Sequence, residues 1–378
     1  MPIYKTDIRK DGKQQYRVRI NYTTNDGKYK QIERSAYGLA EAKDIETKLL
    51  NEYIGNTSSN IKMTVRELYD EYIEVKKYEV RQSTFEKSNR ELRMYVLPYL
   101  GNERIDKLNS KILQQWKIEI DKKPLSITTK KNKYKTLRAL LNYAVKMEYL
   151  SKNPLLTVGN FKDVYFKPTD EKIHYYTEAQ FTKYIKAAEE YASSHDTLTE
   201  WGYYVFFYIA YFTGMRKGEI NALKWSDIDD NIIHIRRSVS QKTKGNSILE
   251  TPPKNKSSMR DLQMPLPLKS VLEKHKSRQM QTEDFNINYR VCGGIKCLSD
   301  TAIDMHNRIY SKNAGIDRIR VHDFRHSHAS LLCNEGINIQ EIARRLGHSD
   351  IQTTWNTYAH LYPREEERAI AILNKIKI

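Results

Sequence analysis

Apolar and polar residues alternate along Tyr16-Arg17-Val18-Arg19-Ile20-Asn21-Tyr22 with the period of a strand. Tyr16, Val18, Ile20 and Tyr22 share one face; Arg17, Arg19 and Asn21 share the other. The turn signals Asp11-Gly12 and Asn25-Asp26-Gly27 divide this first segment into three short strands. A helical stretch from 39 to about 54 can cover the apolar face, and the polar run 55–60 has the composition of a linker. From Thr64 the period becomes helical. Val65, Leu68, Tyr69 and Tyr72 recur on one face, and Thr64-Val65-Arg66-Glu67 has the form of a capping box. Further helices are predicted near 83–97, 109–121 and 126–148, the last with a stripe of Leu137, Leu140, Leu141 and Ala144. After Asn153-Pro154 a mixed stretch runs to about residue 173. A third segment then opens a helix at Tyr176-Thr177-Glu178-Ala179, carries a long apolar helix over 201–212 and a strand-rich stretch over about 231–265, and ends in helices. The pattern predicts a multidomain α+β chain: a three-stranded sheet plus helix over 1–56, an all-helical domain over 64–155, and a mainly helical domain with a small antiparallel sheet over 175–378.

The length of 378 residues suits two or three such domains. A net charge of +17 points to a polyanionic partner, nucleic acid above all, although a merely basic or ribosome-associated protein would carry it too. The Arg17 and Arg19 face reads equally as a surface for phosphates and base edges or as a solvated outer face. Lys130, Lys131, Lys133 and Lys135, followed by Arg138, open the last helix of the second segment and read as a surface that tracks phosphates. The three cysteines, Cys292, Cys297 and Cys333, are too few and too odd in number for a disulfide framework, and no further zinc ligands accompany the first two. With no apolar leader at Met1-Pro2-Ile3-Tyr4-Lys5 and no bilayer-length apolar run, the expectation is a cytoplasmic protein free to reach the chromosome of a bacterial host, or a nuclear one in a eukaryotic host, with no membrane partner.

Candidate chemistry concentrates in the third segment. No G-x-x-x-x-G-K-[ST] loop is present, and no acidic triad stands out. His322-Asp323-Phe324-Arg325-His326 places a histidine and an arginine three apart, on one face of a helix or turn. Gly347-His348 follows, then Tyr358, while Arg216 lies upstream where Thr213-Gly214 ends one helix and another begins. Each has an ordinary reading. Arg216 could pair with Glu219, Arg325 could bind a helix C-terminus, His348 could cap a helix, and Tyr358 is one of 27 tyrosines. His322 and His326 have the spacing of a zinc pair but lack the accompanying glutamate and third ligand. Residues 327–346 also read as a helix-turn-helix with Glu335-Gly336-Ile337 as the turn, which would suit a DNA-binding regulator without enzymatic activity.

Taken together, Thr213-Gly214-Met215-Arg216-Lys217-Gly218-Glu219, His322-Asp323-Phe324-Arg325-His326, Leu346-Gly347-His348-Ser349 and Thr357-Tyr358-Ala359-His360 resemble the tyrosine recombinase family, the integrases of phages and conjugative transposons in particular. The first two segments resemble that family's arm-site and core-site DNA-binding domains in layout. The resemblance implies a site-specific recombinase that cuts and rejoins DNA through a 3′-phosphotyrosine, integrating or excising a mobile element. Arg216 and Arg325 would clamp the scissile phosphate, Tyr358 would attack it, His322 would be the general base and His348 a phosphate ligand. A lysine in Pro252-Pro253-Lys254-Asn255-Lys256 would protonate the leaving oxygen: Lys254 by position, with Lys256 as the fallback. No cofactor is implied, neither ATP nor metal. The partners implied are double-stranded DNA at core and arm sites, three further copies of the chain in a tetramer on DNA, and accessory DNA-bending or excision factors. The tail 361–378, with Ala369, Ile370, Ile372, Leu373 and Ile376 in an amphipathic pattern, would dock on a neighbouring subunit or on its own domain. A type IB topoisomerase shares the chemistry but has no need of two site-reading modules, and a metal-dependent transposase would lose cleavage in EDTA.

Overall fold

The computed structural model describes residues 3–10, 12–23, 29–50, 62–163, 173–241, 249–252, 256–362, 370 and 373. Lys254, the turn at Asn25-Asp26-Gly27, the run 55–60 and most of the tail lie outside the described residues. The chain forms two compact units, Met1–Lys167 and Pro168–Ile378.

In the first unit, β1 (Ile3–Lys10), β2 (Lys13–Thr23) and β3 (Tyr29–Tyr37) form an antiparallel sheet in that order, followed by α1 (Leu39–Leu49). The alternation along β2 sets its faces. Val18 and Ile20 pack with Ala36, Ala42 and Leu49 into a small core, while Arg17 and Arg19 stay exposed on the other side. Arg19 lies directly opposite Glu33 of β3 and pairs with it at 2.8 Å; Arg17 approaches the same carboxylate at 3.5 Å.

The helical part comprises α2 (Val65–Glu79), α3 (Gln82–Tyr95), α4 (Leu97–Leu100), α5 (Ser110–Asp121), α6 (Ile127–Lys146) and α7 (Leu155–Val158). The capping box forms as expected: Thr64 Oγ1 accepts from the Glu67 backbone N–H at 3.2 Å, and the Glu67 carboxylate accepts from the Thr64 N–H at 2.7 Å. Leu68, Leu92, Leu113, Trp116, Leu137, Leu140 and Leu141 fill the core. One expectation needs correction. Lys133 does not face phosphate-accessible solvent: it is 7% exposed, and its ammonium lies 3.0 Å from Glu91 Oε1 and 4.4 Å from the centre of the Tyr95 ring. The reason is helical phase, because Lys133 stands one turn before Leu137 on the apolar stripe. Lys135 and Arg138 are exposed, Lys131 is half-buried, and Lys130 pairs with Asp121 at 2.8 Å.

The second unit is built around a buried helix. It comprises α8 (Glu178–His195), α9 (Leu198–Thr213), α10 (Lys217–Ala222), β4 (Ile228–Asp229), β5 (Ile232–Ile235), β6 (Ser238–Ser240), β7 (Leu249–Thr251), β8 (Arg260–Gln263), α11 (Leu266–Gln279), α12 (Asp300–Asn313), α13 (Asp323–Asn334), α14 (Ile339–Leu346) and α15 (Ile351–Tyr358). Helix α9 is apolar on all sides and packs against α8, α10, α11 and α13, as its composition requires. Tyr184, Phe207, Tyr310 and Phe324 meet at angles between their ring planes of 45° or more. Strands β4, β5 and β8 form an antiparallel sheet beside the shorter β6–β7 pair. A separate cluster of Ala329, Cys333, Ile342, Leu346 and Tyr358 binds α13, α14 and α15 together. The segment that reads as a helix-turn-helix is therefore the scaffold that carries Tyr358. No described helix is long and apolar enough to cross a membrane.

Candidate active site

Two helix ends bring the site together. Helix α9 stops at Gly214 and α14 at Gly347, both in the left-handed conformation, with φ of 63° and 67°. A Cβ on Gly214 would come within 2.8 Å of His328 and 2.9 Å of Leu346, so glycine serves the close approach as well as the turn. These ends expose carbonyl oxygens that lack partners within their helices and attract cations.

Arg325, in the first turn of α13, uses both. Its Nη1 donates to Gly214 O at 2.7 Å, and its Nη2 donates to Leu346 O at 2.6 Å and to His348 Nε2 at 2.8 Å. Arg216 caps the start of α10 and donates from Nη2 to Gly347 O at 3.4 Å. The two guanidinium groups, far apart in sequence, thus anchor to the consecutive carbonyls of Leu346 and Gly347. Glu219 fixes Arg216 from behind, accepting from its backbone N–H at 2.9 Å and from Nη1 at 2.8 Å. Arg260 of β8 closes the arrangement, with Nη2 at 3.0 Å from Glu219 Oε2 and Nε donating to Arg345 O at 2.6 Å.

Tyr358 is the last residue of α15. It is 2% exposed, and its hydroxyl lies 2.6 Å from His326 Nδ1. His322 was expected beside this hydroxyl. Among the described residues, the phenol's hydrogen bond is made with His326, one turn further along α13, and the His322 ring stands edge-on to His326 with centroids 5.2 Å apart.

The sequence agrees with this geometry. Residues 174–365 match the phage integrase family, and residues 64–119 match its N-terminal SAM-like domain. The first match alone spans 192 of 378 residues (365 − 174 + 1), just over half. The chain belongs to the phage integrase family. It is a site-specific tyrosine recombinase, an enzyme that cleaves and rejoins DNA. A tyrosine recombinase XerC-like protein of Caldanaerobacter subterraneus is 28% identical over 407 aligned residues, covering 99% of both chains. Among solved structures, the Tn1549 transposon integrase in complex with transposon right end DNA has a TM-score of 0.66 at 21% identity, covering 83% of this chain and 100% of that one. The lambda integrase tetramer bound to a Holliday junction has a TM-score of 0.54 at 16% identity, covering 87% of this chain and 95% of that one. At these identities both structures share its fold.

Electrostatics follow from the packing. Burial pushes the Glu219 carboxyl up, but Arg260 and Arg216 outweigh it and hold it below the usual carboxylate range. Burial, followed by Arg216 and Arg260, draws Arg325 down; a guanidinium so placed still stays charged at neutral pH. Among the described residues, Glu219 pairs with both Arg216 and Arg260, and Arg325 feels all three charges, so these four groups together carry two positive charges in excess. His348 is pulled down to about 4, by burial first and then by Arg325 and Arg216. With Arg325 donating to Nε2, its remaining ring proton sits on Nδ1 and is donated to Thr354 Oγ1 at 2.8 Å, a tautomer inferred from the network. His322 is exposed to solvent yet is drawn to about 4, by desolvation against the surrounding protein first and then by His326 and Arg325.

The ordinary readings of these residues hold alongside the functional one. Arg216 does pair with Glu219, and Arg325 does bind helix C-termini. Sequence reading missed Arg260 and Thr354 and left His326 without a role. His326 follows Arg325 directly within His322-Asp323-Phe324-Arg325-His326. Arg260 carried no local signal, because its partner Glu219 is 41 residues away.

Proposed function

We propose that the recombinase integrates and excises a mobile element or prophage, with Tyr358 attacking a DNA phosphorus to form a 3′-phosphotyrosine and release a 5′-hydroxyl. The observation that carries this reading is the anchoring of Arg216 and Arg325 on adjacent carbonyls, with His348 bonded to one of them. Arg325 has five N–H donors and commits three hydrogen bonds to the protein, which leaves donors for the two non-bridging oxygens of a phosphate. The excess positive charge is preorganised and offsets the charge that develops on the phosphorane. His348, expected as a phosphate ligand, has both ring nitrogens committed, Nε2 to Arg325 and Nδ1–H to Thr354, so it serves the phosphate by holding Arg325 in place, while neutral His322 contributes a hydrogen bond to the phosphate. Lys254, with Lys256 as the alternative, protonates the departing 5′-oxygen. The phosphotyrosine conserves the energy of the broken diester, so rejoining needs no nucleotide.

The segments 1–56 and 64–155 read arm and core DNA sites, the active assembly is a tetramer holding two duplexes, and accessory DNA-bending or excision factors join it. The tetrameric lambda integrase supports the assembly by likeness of fold. The setting is the cytoplasm of a bacterial host.

The test uses a nicked duplex carrying the chain's own attachment sequence, taken from the DNA flanking its gene. The nick lets the 5′ fragment diffuse away and traps the covalent adduct, which is read on a denaturing gel. Wild-type protein is expected to form the adduct and Tyr358→Phe to form none. An adduct that persists in Tyr358→Phe would overturn the assignment of the nucleophile.

A further inference from the structure

Tyr358 poses a problem that the phosphate clamp does not solve. Burial pushes its phenol well above the ordinary tyrosine range, with the charge of Arg325 as a partial counterweight. A neutral phenol is a weak nucleophile, so its proton needs an acceptor within hydrogen-bond reach. His326 Nδ1 lies 2.6 Å from the phenolic oxygen. Burial lowers the proton affinity of the His326 imidazole and favours its neutral form; in the tautomer with the proton on Nε2, Nδ1 carries a lone pair and the hydroxyl is the donor. Arg325 and His326 are neighbours on α13 and point about 100° apart around the helix. One side of the helix therefore carries the phosphate clamp, and the adjoining side meets the nucleophile.

We propose that His326 is the general base that takes the Tyr358 phenolic proton as the phenolic oxygen attacks phosphorus, an assignment that rests on the recombinase reading above. The O–H bond breaks as the bond from Tyr358 Oη to phosphorus forms. The proton goes to His326 Nδ1, giving an imidazolium, and the bond from phosphorus to the 5′-oxygen breaks, with that oxygen protonated by the separate lysine. In rejoining, the 5′-hydroxyl gives its proton back to that lysine as its oxygen attacks phosphorus, the bond from phosphorus to Tyr358 Oη breaks, and His326 returns its proton to the departing phenolate. The base is thus regenerated in each cycle without an outside acid or base. His322 stands edge-on to His326, and the phenol's hydrogen bond goes to His326 instead.

The experiment measures the rate of adduct formation by the full chain on the nicked duplex. His326→Asn keeps a hydrogen-bond acceptor near the Nδ1 position but removes the basic nitrogen, and it is expected to lower the rate roughly 10²- to 10⁴-fold. Each protein is also made with 3,5-difluorotyrosine at position 358, whose phenol is more acidic and depends less on a base. The fluorinated tyrosine is expected to restore most of the rate in His326→Asn while changing the His326 protein little. Asparagine reacting at the wild-type rate would overturn the proposal. So would an equal loss with tyrosine and fluorotyrosine, because a purely structural role is indifferent to the acidity of the phenol. If the wild-type protein forms no adduct at all, the recombinase reading fails, and the base assignment with it.

Discussion

Replacing Arg260 by methionine would take from the buried Glu219 carboxylate the cation that pairs with its Oε2, while the Arg216 guanidinium keeps Oε1. The side chain is 4% exposed and gives up three hydrogen bonds: to Glu219 at 3.0 Å, to Arg345 O at 2.6 Å and to Ser258 O at 3.1 Å. Removing one partner of a buried ion pair costs about 3–5 kcal/mol. Glu219 keeps Arg216, and methionine fills much of the same volume, so a net loss of about 3 kcal/mol is expected, the low end of that range. With a urea dependence near 3 kcal/mol per molar, the unfolding midpoint of the second unit should fall by roughly 1 M. Tryptophan fluorescence reports on that unit, which holds Trp201, Trp225 and Trp355, whereas Trp116 lies in the other. The rate of adduct formation should fall as well, by at least ~10-fold, because Glu219, still paired with Arg216 but released by Arg260, would shift and carry Arg216 out of register with the phosphate. Adding Glu219→Gln to Arg260→Met removes the stranded charge. The double variant should recover about 1–3 kcal/mol relative to the sum of the two single changes. A midpoint shift below about 0.3 M, or strict additivity in the double variant, would refute the view that Arg260 acts through Glu219.

The remaining predictions concern pH, a helix end and the basic helix. His275 and His328 are buried and drawn down from 6.5 to about 4 and about 3, chiefly by burial, so both stay neutral in the folded chain. Below 6.5 the unfolded chain binds protons that the folded chain does not, and stability falls as pH falls through this window. Urea midpoints at pH 7 and pH 5 should differ by roughly 3 kcal/mol of stability, and equal midpoints would count against the neutral assignment. Gly214→Ala puts a side chain at φ 63°, where a Cβ would lie 2.8 Å from His328, and should cost about 3 kcal/mol from the left-handed backbone and the clash together. It should also slow adduct formation by moving the carbonyl that holds Arg325, so an alanine variant with wild-type stability and rate would be evidence against that role. Lys133→Met should destabilise the first unit by about 2–3 kcal/mol and leave the salt dependence of DNA binding unchanged. Exposed Lys135→Ala should do the reverse, lowering the slope of log affinity against log salt by about one; a Lys133 variant that altered only the slope would contradict its buried pairing.

Local periodicity made much of this chain legible. The β2 alternation, the Thr64 capping box and the helix stops at Gly214 and Gly347 depend on residues within one turn or one strand, where spacing alone decides which side chains meet. Even the burial of Lys133 was readable in principle, since it stands four residues before Leu137 on the apolar stripe; its charge drew attention away from its phase. The motif strings likewise singled out Arg216, His322, Arg325, His348 and Tyr358 as candidates, and the fold brings the ends of α9, α13, α14 and α15 that carry them together.

What the sequence determined by itself was the kind of chemistry and the elements that carry it. Which donor reaches which acceptor was decided only by the folded chain. Arg325 meets Gly214 across 111 positions, Arg260 meets Glu219 across 41, and His326 meets Tyr358 across 32. His322 and His326 lie a single turn apart on the same helix, and periodicity cannot say which of them faces a phenol on another helix. That choice is made by the packing of α15 against α13 and α14, where burying the Tyr358 ring among Ala329, Cys333, Ile342 and Leu346 fixes where its hydroxyl emerges.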